Sequence, residues 1–190
     1  MQYHPYTTKL LEQLNTHFQS SNITFNITTQ GVNGERTRSM LKRLHETFKT
    51  TTTKYDCLIV LGGLNDLQSL STKEIASNIC EMAHIGRQHV RECCIVISVP
   101  NCYPDLSYAK YRDSKCDVNR RLKEYVEKIK DESVPRVYFL DLNENNLNID
   151  SMDEDEKTLI YDDSIHYTPE GYSRLGTAVF NVIKSHLSKG

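Results

Sequence analysis

The sequence predicts an α/β fold built on a parallel sheet, and three observations carry that prediction. Helical and strand patterns alternate from one end of the chain to the other. The strand patterns are short and apolar with no polar alternation, as expected of strands buried on both faces. No repeat, proline-rich linker or low-complexity stretch divides the 190 residues, which read as one domain spanning 1–190.

Taken in order, residues 4–19 place Tyr6, Leu10, Leu11, Leu14 and Phe18 at helical spacing, with Pro5 suited to a first turn. Residues 23–28 are β-branched and aromatic and predict a strand, ending in the glycine-bearing turn at 29–35. A helix over 37–48 follows, with Met40, Leu41, Leu44 and Phe48 on one face. The strand at 56–61 breaks abruptly into Gly62-Gly63-Leu-Asn-Asp66. Ser71 and Glu74 have the capping-box spacing and open a helix running to about Val90. Residues 93–99 form a wholly apolar strand stopped by Pro100, and 108–130 a long charged helix with an inner stripe from Tyr111 to Ile129. A last strand covers 137–142, an acidic loop 143–164, and a closing helix 169–187.

Composition narrows the function. The formal net charge is -2, from 23 basic and 25 acidic residues. That balance argues against a nucleic-acid partner held by phosphate neutralisation. No apolar run approaches bilayer-spanning length, and the opening residues lack the apolar region of a secretory signal, which leans the expected location toward the cytoplasm. The six cysteines show no CxxC pair and read as reduced core thiols, not as a zinc site or disulfide framework. Asn22 and Asn26 each match the glycosylation sequon, but inside a predicted buried strand that match is accidental. The acidic run at 150–156 lacks the glycine of an EF-hand loop and reads as solvated, not as a calcium site.

Three clusters fall at the carboxyl ends of predicted strands, where open α/β sheets place their ligands. Asn65 offers an amide that can donate to a developing negative charge, although Gly-Asn-Asp is also ordinary turn chemistry. Gly31-Val-Asn-Gly34 precedes a helix, so a glycine amide there can face an anion; taken alone, the cluster is better read as a plain strand-to-helix turn. Asp163 and His166 lie three residues apart in a loop entering a helix capped by Thr168 and Pro169. The carboxylate can fix one imidazole nitrogen and leave the other to take a proton; an exposed histidine beside an acidic loop is the alternative. Together, amide, glycine turn and Asp-His pair form an acyl-transfer layout awaiting a nucleophile.

These residues resemble the SGNH hydrolase superfamily, the GDSL-type esterases and lipases. Gly34 in Gly31-Val-Asn-Gly-Glu-Arg-Thr37 is similar to the family's second block, Gly63-Leu-Asn-Asp66 to its third and Asp163-Ser-Ile-His166 to its fifth, across nearly the whole chain. The resemblance implies a flavodoxin-like three-layer α/β/α sandwich that hydrolyses carboxylic esters or thioesters with no metal or cofactor. It casts His166 as general base, Asp163 as its orienter, and the Gly34 amide with the Asn65 side chain as the oxyanion hole.

One block is not matched. The family's Gly-Asp-Ser, which carries the nucleophile at the end of the first strand, has no counterpart, and no serine sits in a G-x-S-x-G elbow. The expectation is an amino-terminally incomplete hydrolase, inactive as it stands. Its strands at 23–28 and 56–61 must then pair directly or leave two open edges. A nucleophile-less pseudoenzyme that binds acyl or glycan ligands is the alternative, and a non-catalytic α/β domain with inherited motifs is a third. The acyl group, the alcohol and the oligomeric state are not spelled by the sequence.

Overall fold

A computed structural model describes residues 5–129 and 135–187. Its elements in chain order are α1 (Tyr6–His17), α2 (Thr37–Thr50), β1 (Tyr55–Val60), α3 (Thr72–His89), β2 (Val90–Ile97), α4 (Tyr103–Ser107), α5 (Ala109–Ile129), β3 (Arg136–Leu140), α6 (Glu154–Ile160) and α7 (Pro169–Leu187). His4 and Lys130, the outer ends of two predicted helices, lie outside the described residues. The three strands are all parallel in the order β1-β2-β3, which makes this an α/β fold. The chain divides into two units, one holding residues 32–100 and 107–141, the other the remaining described residues.

The first of these contains the sheet. β2 is central, with Cys94, Ile95, Val96 and Ile97 all inaccessible to solvent. Strands flanked on both sides bury both faces, which is why no polar residue interrupts 93–97. Leu58, Val60, Cys94, Val96 and Val137 join one cluster with the inner stripes of α3 and α5. Met40, Leu44 and Phe48 of α2 pack against that cluster at the helical spacing that the sequence shows. α3 begins as its capping pattern requires: the Ser71 hydroxyl accepts from the Glu74 N–H at 3.2 Å.

The second unit is helical. Leu10 and Leu14 of α1 are buried, as are Leu175 and Val179 of α7, and α1 packs on α7. Arg174 of α7 donates to Glu156 at 2.6 Å and to the Asn146 carbonyl at 3.2 Å, tying α7 to α6 and to the preceding loop.

Two expectations need correction. Residues 23–28 form no strand; they are irregular, and Ile23 is 50% exposed. β-Branched composition favours a strand only where a neighbour completes the hydrogen-bond ladder, and no described strand pairs with this segment. Neither of the anticipated outcomes, direct pairing with 56–61 or two facing open edges, occurs. Asn22 and Asn26 are therefore exposed, not buried. The acidic loop, in turn, contains α6, whose Asp153 cap accepts from the Glu156 N–H at 2.8 Å.

Candidate active site

The Asp163–His166 pair sits on a short hairpin closed by the antiparallel bridge between Tyr161 and Tyr167. The Asp162 N–H donates to the His166 carbonyl and the Thr168 N–H to the Ile160 carbonyl, both at 2.9 Å. Inside this frame Asp163 uses both carboxylate oxygens. Oδ1 accepts from the backbone N–H groups of Ile165 and His166, each at 2.7 Å. Oδ2 lies 2.8 Å from His166 Nδ1. The imidazole first, and the two backbone donors after it, hold the Asp163 carboxyl down at about 2. The carboxylate therefore stays ionised and accepts from Nδ1–H, which fixes the neutral ring in the tautomer whose Nε2 is a lone-pair acceptor.

The hairpin leads directly into α7. The Thr168 hydroxyl accepts from the Gly171 N–H at 3.2 Å, capping the helix as the sequence predicts. Gly171 is required by close approach: a Cβ there would lie 2.5 Å from the Ile160 carbonyl oxygen and 2.8 Å from Tyr167 Cβ. Beneath the hairpin, rings of Tyr103, Tyr161, Tyr167 and Tyr172 follow one another at centroid distances of 5.6, 5.3 and 5.7 Å. The Tyr161 hydroxyl donates to the Asn101 carbonyl at 3.1 Å, and the Tyr103 N–H to the Ser164 carbonyl at 3.0 Å. These contacts leave the Asp163–His166 pair itself half exposed on a packed base.

Gly34 and Asn65 belong to the sheet-bearing unit, and the structure brings these two together. Past β1, Gly63 takes a left-handed conformation, with φ 103°, and starts the single turn Leu64–Asp66. The Asn65 Nδ2 donates to the carbonyl of Glu35, the residue after Gly34, at 3.1 Å. Its second amide hydrogen and the Gly34 N–H carry no hydrogen bond among the described residues. Gly34 has φ 71° in the turn closed by the Glu35 N–H on the Val32 carbonyl at 3.2 Å.

Asp66, to which the sequence assigned no role, is the anchor of this arrangement. It is fully buried, and its Oδ2 accepts from the Thr37 N–H at 2.9 Å at the start of α2. Asn78 of α3 donates to the Thr37 hydroxyl at 3.0 Å, and Glu35 pairs with Arg43 at 2.5 Å. The pair raises the Arg43 guanidinium still further. Residues 34–37 are thus held from both sides. The signal was visible only as an acid beside Asn65; its partner lies 29 residues earlier.

Asn65 thus follows β1, the glycine turn precedes α2 and the Asp163–His166 pair precedes α7, in an α/β chain with a parallel sheet. The profile of the GDSL-like lipase/acylhydrolase family matches residues 1–174, and the chain belongs to that family. A comparison with curated proteins finds no match. Among solved structures, a member of the lipolytic G-D-S-L family from Veillonella parvula is 15% identical, with a TM-score of 0.73, over 95% of this chain and 90% of that one. An acetyl xylan esterase from Geobacillus stearothermophilus is 16% identical, with a TM-score of 0.72, over 94% and 81% of the two chains. A lipase/acylhydrolase from Enterococcus faecalis is 17% identical, with a TM-score of 0.68, over 93% and 85%. At these identities the likeness is one of fold. Among the described residues, no helix is long and apolar enough to cross a membrane.

Proposed function

We propose that these 190 residues form one hydrolase domain carrying the proton-transfer and oxyanion parts of a site for small carboxylic esters or thioesters. In that reading His166 Nε2 takes the proton of an attacking serine hydroxyl and returns it to the leaving group, while Asp163 stabilises the imidazolium. The Gly34 N–H and the free hydrogen of the Asn65 amide donate to the tetrahedral oxyanion. The observation that carries the proposal is the 2.8 Å contact between Asp163 Oδ2 and His166 Nδ1 in a chain of this family. It leaves a lone pair at Nε2 on a half-exposed ring.

The nucleophile is the part the sequence does not supply, so the chain is expected to be inactive by itself. The purified chain should hydrolyse p-nitrophenyl acetate no faster than buffer, with no change in His166→Ala. Turnover that His166→Ala abolishes would contradict this and place a nucleophile within the 190 residues. The second reading, a nucleophile-less module binding acyl or glycan ligands, is favoured by the lack of a Gly-Asp-Ser block while both residue pairs are held in place. Coding sequence upstream of Met1 separates the two: a Gly-Asp-Ser strand there supports the hydrolase, and its absence supports the binding module.

A further inference from the structure

Among the described residues, Cys57 and Cys93 are the two thiols held side by side. They are registered partners on adjacent parallel strands, β1 and β2, and their Sγ atoms are 3.5 Å apart. We propose that Cys57 and Cys93 form a reversible disulfide within the folded sheet, a covalent modification site independent of ester hydrolysis.

Geometry supplies the first argument. Neighbouring strands lie about 4.8 Å apart, which is inside the roughly 4.4–6.8 Å between Cα atoms that a disulfide spans. Bonding requires the sulfurs to close to about 2.05 Å. β1 can accommodate that shift: it pairs only with β2 among the described strands, and its register slips between Tyr55 and Cys57, immediately beside the bond.

Chemistry supplies the second. The hydrogen bond that the two thiols share pushes Cys57 up and holds Cys93 below the ordinary thiol range, so the first proton lost leaves a thiolate on Cys93. The other thiols of this unit compete poorly. Cys94 follows Cys93 on the strand and therefore faces the opposite side of the sheet. Burial pushes Cys94 up to about 12 and Cys80 up to about 11. Cys116 is exposed and is the one open competitor.

Hydrogen peroxide is the oxidant, small enough to enter beside the half-buried Cys57. The Cys93 thiolate attacks one peroxide oxygen; the O–O bond breaks, and the departing hydroxide takes up a proton to become water. Cys57 then attacks Cys93 Sγ. An S–S bond forms, the S–O bond of the sulfenic acid breaks, and the hydroxide leaves as water with the Cys57 proton. Two thiols have lost two electrons and two protons, and one peroxide has become two waters. A dithiol reductant reverses the change.

The test uses the full chain with Cys116→Ser, which leaves five of the six cysteines. Native protein is treated with hydrogen peroxide, its free thiols are titrated, and its unreduced peptides are mapped by mass spectrometry. The expected result is a fall from five thiols to three, a peptide pair joined through Cys57 and Cys93 and lighter by two hydrogens, and full recovery with dithiothreitol. Adding Cys57→Ser should abolish the cross-link and let Cys93 accumulate as a sulfenic acid trapped by dimedone. Five thiols surviving, a cross-link joining any other pair, irreversible acids without a cross-link, or a cross-link that forms only in denaturant would each overturn the proposal.

Discussion

The Asp163–His166 hairpin and the Gly34–Asn65 arrangement reach order by opposite routes. In the hairpin, the bonds that fix Asp163 and His166 run between residues two and three apart. In the glycine arrangement they run across 29 and 30 residues, through the buried carboxylate of Asp66 and the amide of Asn65. The first is exposed and screened by solvent; the second stands on a polar group withdrawn from water. A local polar motif holds its geometry with little dependence on the core, whereas a long-range one is only as firm as the packing that buries its anchor. The difference teaches where each part is vulnerable.

The comparison is broken most sharply at Asp66. Asp66→Ala leaves the buried Thr37 N–H without its acceptor, which costs about 3 kcal/mol because the lost partner is a carboxylate. Urea unfolding should show that loss, while the Asp163–His166 signals stay unmoved in NMR spectra. Next comes Gly171→Ala, the weak point of the hairpin. Alanine gains about 1 kcal/mol in helix propensity, but its methyl would meet a backbone carbonyl at 2.5 Å. A backbone atom cannot swing aside, so the clash prevails and the variant should lose about 2 kcal/mol net. Its His166 ring signals should shift, which those of Asp66→Ala should not.

Smaller effects sharpen the contrast. The Asp163 carboxyl is depressed to about 2, against about 3.9 in an unfolded chain. A depressed acid adds stability that is fully present above about pH 4 and lost as pH falls through about 2. With the side chain 44% exposed, solvent screening holds this contribution below about 1 kcal/mol. The carboxyl carbon should titrate near 2 and move toward 4 in His166→Ala; an unchanged midpoint would mean that the imidazole is not its principal partner. Asn65→Ala should have the smallest effect, about 0.5 kcal/mol for an exposed hydrogen bond, seen as faster amide exchange at residues 34–36.

Legibility in the sequence follows the same division. The closing helix starts where its cap puts it, at Pro169, and the Ser71 hydroxyl caps α3. Both signals lie within a few residues of what they control. The Asp163–His166 contact was readable for that reason too. The strand expected at 23–28 fails because strand formation is settled by a neighbour, which propensity does not contain. α6 leaves no periodic pattern in the sequence because among its seven residues only Ile160 is buried. The cap at Asp153, three residues before Glu156, was its one available mark. Asp66 could be seen but not interpreted, since its role exists only once Thr37 has been brought to it. Cys57 and Cys93 likewise become neighbours only through strand register.

The central proposal is that the Asp163 carboxylate fixes His166 with the proton on Nδ1 and the lone pair on Nε2. Long-range proton–nitrogen NMR of the neutral His166 ring tests it most directly. The expected result is the Nδ1–H tautomer in the purified chain and its loss in Asp163→Ala. A ring that carries its proton on Nε2, or a tautomer that Asp163→Ala leaves unchanged, would contradict it.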